Sequence, residues 1–190
     1  MAKRLFKLDN KKPHDFGGPA GRPFEALEEL ADTIPLHQLI ERHAAVLGDK
    51  PAVVTVSAIL TFGELIASAH RFAAAFLPVM SREPGLKPVF CLSDDSCVQV
   101  AVALACWRLG LAHAPLDPDM TERRMAGILR AEPGAILVGS RDQISGFDDN
   151  VSGLHVIDAD LDAVCPIDPV PDFSSPDAAG SIVFTSGSTG

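Results

Sequence analysis

Between residues 88 and 157 the chain alternates short apolar runs with longer capped stretches, and that alternation fixes its fold class. Pro88–Leu92 reads Pro-Val-Phe-Cys-Leu, continuously apolar, as a strand buried on both faces would be. Ser93-Asp94-Asp95-Ser96 then offers several N-cap candidates for a helix over 97–109, and Gly110 suits its C′ position. That helix is apolar on most faces, which predicts deep burial. A short strand follows at Ala112–Leu116, broken by Asp117-Pro118. A polar-capped helix fits 120–131, with strands at 135–138 and 154–157 and a last one at 181–184. Strand, helix, strand, helix, strand is the pattern of a parallel sheet covered by helices. The predicted fold class is α/β, a parallel-rich sheet flanked by helices, with no internal repeat and no coiled-coil seam.

The first part of the chain is different. Residues 1–32 read as irregular and basic, with Gly17-Gly18-Pro19-Ala20-Gly21 as a breaker and a short amphipathic helix over 24–31. From residue 33 to 190 the chain reads as one domain. Pro35 fits the first turn of a helix that runs to Leu47, with Gly48 just past its end. Residues 52–56 are a β-branched strand candidate. Thr61 and Glu64 form a Thr-x-x-Glu capping box. The helix it starts should reach Leu77, where Pro78 ends it. Leu65, Ala69, Phe72 and Phe76 recur at helical spacing and should face the core. The stretch 166–176, with four prolines, reads as a loop.

With 47% apolar and 22% charged residues, a chain of 190 residues is globular and large enough for a sizeable core. Its net charge of −9 argues against nucleic acid as a partner, since phosphate backbones need basic faces. The charge is uneven. Lys3, Arg4, Lys7, Lys11 and Lys12 against Asp9 give the first twelve residues +4, so the remainder holds −13. The N-terminus has no apolar h-region of a secretory signal, and no run approaches the ~20 apolar residues of a membrane span. Cys91, Cys97, Cys106 and Cys165 show no Cys-x-x-Cys spacing and read as ordinary thiols of a reducing cytoplasm, with no metal site.

One run carries chemistry. Thr185-Ser186-Gly187-Ser188-Thr189-Gly190 follows the apolar Ile182-Val183-Phe184, and each of its residues is a glycine or a hydroxyl carrier. Glycine admits close approach of a ligand, and hydroxyls with freed amides donate to phosphate oxygens. A strand running into such a loop builds a phosphate cradle. It is not the common P-loop, which needs a Gly-Lys-Ser/Thr ending.

Other candidates read as structural. His37 and His43 are six apart, on different faces of one helix. Asp94 and Asp95 suit helix capping better than acid–base work. Asp158, Asp160 and Asp162 lack the glycine and distant glutamate of a calcium loop. Ser186 has no Gly-x-Ser-x-Gly elbow around it.

The run 181–190 resembles the phosphate-loop signature of the adenylate-forming superfamily, which includes acyl-CoA synthetases, luciferases and adenylation domains of nonribosomal peptide synthetases. In that family a further residue and then Pro-Lys-Gly follow the run. Leu60-Thr61-Phe62-Gly63-Glu64-Leu65 resembles the early Leu-Thr-Tyr-x-Glu-Leu motif, with Phe62 in place of tyrosine. Trp107-Arg108-Leu109-Gly110-Leu111-Ala112-His113-Ala114-Pro115-Leu116-Asp117-Pro118 resembles the Lys-x-Gly-x-Ala-Tyr-Val-Pro-Leu-Asp-Pro motif. There His113-Ala114 replaces Tyr-Val, Met120 stands where proline is common, and Arg124 sits near an arginine that often follows. His113 is expected to be a partly buried residue in a tyrosine's place, not a general base. The three motifs come in the family's order, and the resemblance covers roughly 33–190.

The resemblance implies the first portion of the large N-terminal domain of an adenylating ligase. Such an enzyme joins a carboxylic or amino acid to ATP, with Mg²⁺, and passes the acyl group to a thiol of coenzyme A or of a carrier protein's phosphopantetheine. Thr185, Ser186, Gly187, Ser188, Thr189 and Gly190 would hold the β- and γ-phosphates. The family's catalytic residues have no counterpart in these 190 residues, so the expectation is a truncated, inactive piece. The alternative is a natural non-catalytic interaction module with the same half-fold.

Overall fold

The computed structural model describes residues 34–82, 88–145, 147, 153–160, 170–175 and 178–184, and from Pro35 on they belong to one compact unit. The N-terminal segment with its candidate helix, residues 161–169 and the run 185–190 lie outside the described residues.

Proline at the head of the first helix costs nothing, because its missing N–H would have no helical partner there. Pro35 is the N-cap of α1, Leu36–Leu47, with φ −55° and ψ 142°. Gly48 ends that helix in a helical conformation and takes part in a close contact instead. The Gly63 N–H donates to the Gly48 carbonyl at 2.9 Å. A Cβ at Gly63 would stand 3.3 Å from that oxygen, so glycine lets the first turn of the next helix dock on the end of α1.

Between these helices lies a hairpin, not the single strand expected over 52–56. Strand β1, Pro51–Val54, pairs antiparallel with β2, Ile59–Thr61. Thr55 closes the turn: its Oγ1 accepts from the Ala58 N–H at 2.8 Å, and its own N–H donates to the Ala58 carbonyl at 2.9 Å. Three residues of β2 running straight into a helix cap leave little room for a strand signal.

The capping box of α2, Phe62–Arg82, forms as expected. Thr61 N–H and Oγ1–H both donate to Glu64 Oε2, at 2.9 and 2.8 Å, and the Glu64 N–H returns a bond to Thr61 Oγ1 at 3.2 Å. Leu65, Ala69, Phe72 and Phe76 are all buried. Pro78, however, does not end the helix; it lies inside it. Proline deletes one intrahelical hydrogen bond at a cost of about 3 kcal/mol. Val79 and Met80 pack on the core beyond it, and that burial offsets the loss.

The main sheet has four parallel strands in the order β4-β3-β5-β6: β3 Pro88–Leu92, β4 Ala112–Leu116, β5 Ile136–Gly139 and β6 His155–Asp158. Alternation along β3 places Val89 and Cys91 in a core shared with α2 and α3, Ser96–Arg108. Phe90 and Leu92 enter a second core with Met125 and Leu129 of α4, Glu122–Ala131, and Ile144 of α5, Arg141–Ile144. The sheet is therefore covered on both faces, as continuous apolar strands require. The short α5 was not visible as a period, yet Ser140 and Gln143 give it a capping box of its own.

Expectation and structure part again at 181–184. Only Ser181 pairs, in an isolated parallel bridge to His113. Ile182 and Val183 remain 37% and 72% exposed, so the burial that holds a strand is missing there.

Candidate functional site

The six residues singled out as a phosphate loop, Thr185 to Gly190, lie outside the described residues, and the structure describes what leads to them. That approach is built by the end of α3. Asp95 caps the start of α3, its Oδ1 accepting from the Cys97 N–H at 2.8 Å. The helix closes in a Schellman motif: the Leu111 N–H donates to the Cys106 carbonyl at 2.8 Å and the Gly110 N–H to the Trp107 carbonyl at 3.3 Å. Gly110 takes φ +68°, as that motif requires. Leu111 then leads directly into β4.

The last turn of α3 holds two distant segments. Arg108 Nε and Nη2 donate to the Val170 carbonyl at 3.1 and 2.7 Å, while Nη1 pairs with Glu41 at 2.6 Å. The Phe173 N–H donates to the Arg108 carbonyl at 2.8 Å. Across the same segment, His37 Nε2 lies 3.0 Å from Asp172 Oδ2, and Gln38 Nε2 donates to that oxygen at 3.0 Å. Burial pushes the Asp172 carboxyl up, but hydrogen bonds from Ser174, His37 and Gln38 together outweigh it and hold it well below the usual carboxylate range.

Farther on, Trp107 Nε1–H donates to the Gly180 carbonyl at 2.6 Å. The His113 N–H donates to that oxygen too, at 3.2 Å, and the Ile182 N–H returns to the His113 carbonyl at 2.8 Å. Phe184, the last described residue before the loop, sets its ring 6.2 Å from Phe90 of the central strand.

His113 is 7% exposed, and its Nε2 is buried without a partner. Burial pushes its pKa down to about 4. It is neutral at physiological pH and too weak a base for proton abstraction there, which matches a filler of a tyrosine's position. Glu64 is held below its usual range by the backbone and side-chain hydrogen bonds from Thr61, so the early motif serves the helix cap. Burial drives the Cys91 thiol up to about 12 and raises the Cys106 thiol well above its usual range, leaving both thiols inert.

The groove between the hairpin turn and α3 is lined by Val54, Thr55, Val56, Ser57, Asp94, Asp95 and Ser96, and its carboxylates repel anions. Among the described residues no cluster of three His, Cys, Asp or Glu side chains could hold a metal ion. Asp158 instead pairs with Arg141 at 3.4 Å and accepts the Asp160 N–H at 3.0 Å; Asp162 lies outside the described residues. Among them, too, no helix is long and apolar enough to cross a membrane.

A four-stranded parallel sheet with a helix-covered core on each face is an α/β fold of the kind the alternation of strand and helix predicts. The chain belongs to the AMP-binding enzyme family, whose pattern matches residues 40–190. It is 30% identical over 166 residues to nonribosomal peptide synthetase 8 of Aspergillus fumigatus, covering 82% of this chain and 2% of that protein. It is 32% identical over 169 residues to malpinin synthetase of Mortierella alpina, covering 86% and 2%. The chain thus spans a small fraction of either relative. Among solved structures it resembles the α-methyl-L-serine-AMP-bound nonribosomal peptide synthetase FmoA3, with a TM-score of 0.69 at 23% identity over 80% of this chain and 17% of that one. The N-terminal subdomain of Klebsiella oxytoca NpsA matches with a TM-score of 0.59 at 22% identity, over 82% and 39%.

The Trp107 and Arg108 contacts escaped the sequence reading. Their partners are 73 and 62 positions away, and no local pattern announces such pairings.

Proposed function

We propose that these residues form the phosphate-holding part of a ligase that activates a carboxylic acid with ATP. The acid's oxygen attacks the α-phosphorus of ATP, the bond to the β-phosphate oxygen breaks, and pyrophosphate leaves an acyl-adenylate. A thiol, of coenzyme A or of a carrier protein's phosphopantetheine, then takes the acyl group and releases AMP.

The observation that carries this reading is the run Thr185-Ser186-Gly187-Ser188-Thr189-Gly190 placed directly after a segment anchored on β4. Its donor chemistry fits phosphate: four hydroxyls and the freed amides can face the β- and γ-phosphate oxygens, and two glycines admit close approach. Fixed donors of this kind stabilise charge that grows on the departing pyrophosphate. Mg²⁺, when bound with ATP, would neutralise part of that charge. None of the six residues is a carboxylate, so they hold the phosphates and leave the ion to other ligands.

Amino-acid activation on a carrier protein is the favoured branch. The Pro115-Leu116-Asp117-Pro118 run and the peptide-synthetase relatives support it.

The test is ATP–pyrophosphate exchange by the protein carrying these residues, across a panel of amino and aryl acids. Acid-dependent exchange that falls on substituting Thr185 or Ser188 by alanine is expected. ATP binding without exchange under any acid would contradict the ligase reading.

A further inference from the structure

Gly180 lies five residues ahead of the loop, and its carbonyl is held from two directions by one stretch of chain. Trp107 Nε1–H reaches it at 2.6 Å from the last turn of α3. The His113 N–H reaches it at 3.2 Å from the first part of β4. A carbonyl oxygen has two lone pairs, so the pair of donors fixes both the position and the orientation of that peptide. The two donors are themselves locked together by the Schellman turn at Gly110, which makes the angle between helix and strand rigid.

We infer that Trp107 is a positioning residue for the phosphate loop: with the His113 main chain it clamps Gly180, and so sets where the chain departs toward Thr185. The clamp gives the second sequence motif a duty separate from substrate contact. Beyond Gly180, the Ile182 N–H bonds the His113 carbonyl at 2.8 Å, so the same residue holds the chain on both sides of Ser181. Ser181 is paired only through its bridge to His113, Val183 is exposed, and Phe184 makes a ring contact. Helix α3 is deeply buried, with Ala101 to Cys106 all in the core. A donor projected from its end is anchored to that buried stretch. Trp107 packs partly against that same core, which holds the indole in place without the hydrogen bond.

The consequence for nucleotide rests on the loop reading given above; the clamp itself does not. Trp107→Phe keeps an aromatic ring against the core while removing the N–H donor together with the indole's second ring. In the full chain, hydrogen exchange should then quicken about fivefold at Ile182, the size expected from losing one neutral hydrogen bond, with Leu137 in β5 unchanged as a control for the fold. Because Trp107 is the sole tryptophan, its single indole N–H signal gives a check without mutation: the clamp requires slow exchange of that proton. Rapid indole exchange in the unmodified chain, or unchanged Ile182 exchange in the folded variant, overturns the clamp. With Mg·ATP, the variant should bind about fivefold more weakly, with no change in the affinity for the acid. Equal ATP affinity in both proteins overturns the positioning role. If neither protein binds ATP, the nucleotide reading fails and the exchange data alone decide the clamp.

Discussion

His37 Nε2 and Asp172 Oδ2 lie 3.0 Å apart although 135 positions separate them in sequence, and the histidine is 1% exposed. The carboxylate can only accept, so Nε2 carries the proton and donates. Asp172 also takes bonds from Gln38 and from the Ser174 N–H. This one side chain therefore ties α1 to residues 170–175. Replacing Asp172 by Asn puts an amide in place of the charged acceptor. Unfolding in urea should show a loss of about 1–3 kcal/mol. An unchanged midpoint would mean the pair does not hold the segment.

His113 predicts acid sensitivity. Its pKa falls from 6.5 to about 4 on folding, so between those values the unfolded chain binds the extra proton. Stability is then full above pH 6.5 and declines as pH drops toward 4, by about 3 kcal/mol at most. His113→Phe removes the titrating ring, and denaturation midpoints measured across that window should flatten accordingly. A variant with the same slope as the parent would refute the assignment.

Gly110 should tolerate no side chain. It sits at φ +68°, and a Cβ there would stand 2.8 Å from the Phe173 carbonyl. Gly110→Ala carries both the left-handed backbone cost, about 1–2 kcal/mol, and a clash with backbone that has no rotamer to change. Thermal melting should register the loss, and limited proteolysis should find new cleavage near 173. A melt within a degree of the parent would contradict the close approach.

What the sequence disclosed was local. Caps at Thr61–Glu64 and Asp95, the C′ glycine at 110, and the apolar period of α2 each rest on neighbours within four residues. That the sheet is parallel followed from the alternation of strand and helix, while its strand order did not. Failures came where tertiary contact decides. Pro78 reads as a stop, but packing beyond it carries the helix on. Residues 181–184 read as a strand, but too little covers Val183 to extend the pairing past Ser181. The run 185–190 lies outside the described residues, and its reading as a phosphate loop rests on its hydroxyls and glycines. The contacts of Trp107 with Gly180, Arg108 with Val170 and His37 with Asp172 were not legible, because each joins segments more than 60 positions apart.

The central claim is that residues 185–190 hold phosphate, and titrating Mg-pyrophosphate into the isotope-labelled chain tests it most directly. The account predicts weak, saturable shifts at the amides of Ser186, Gly187, Ser188, Thr189 and Gly190, lost when Ser186 and Ser188 are replaced by alanine. Shifts confined to other parts of the chain, or none at those amides, would contradict it.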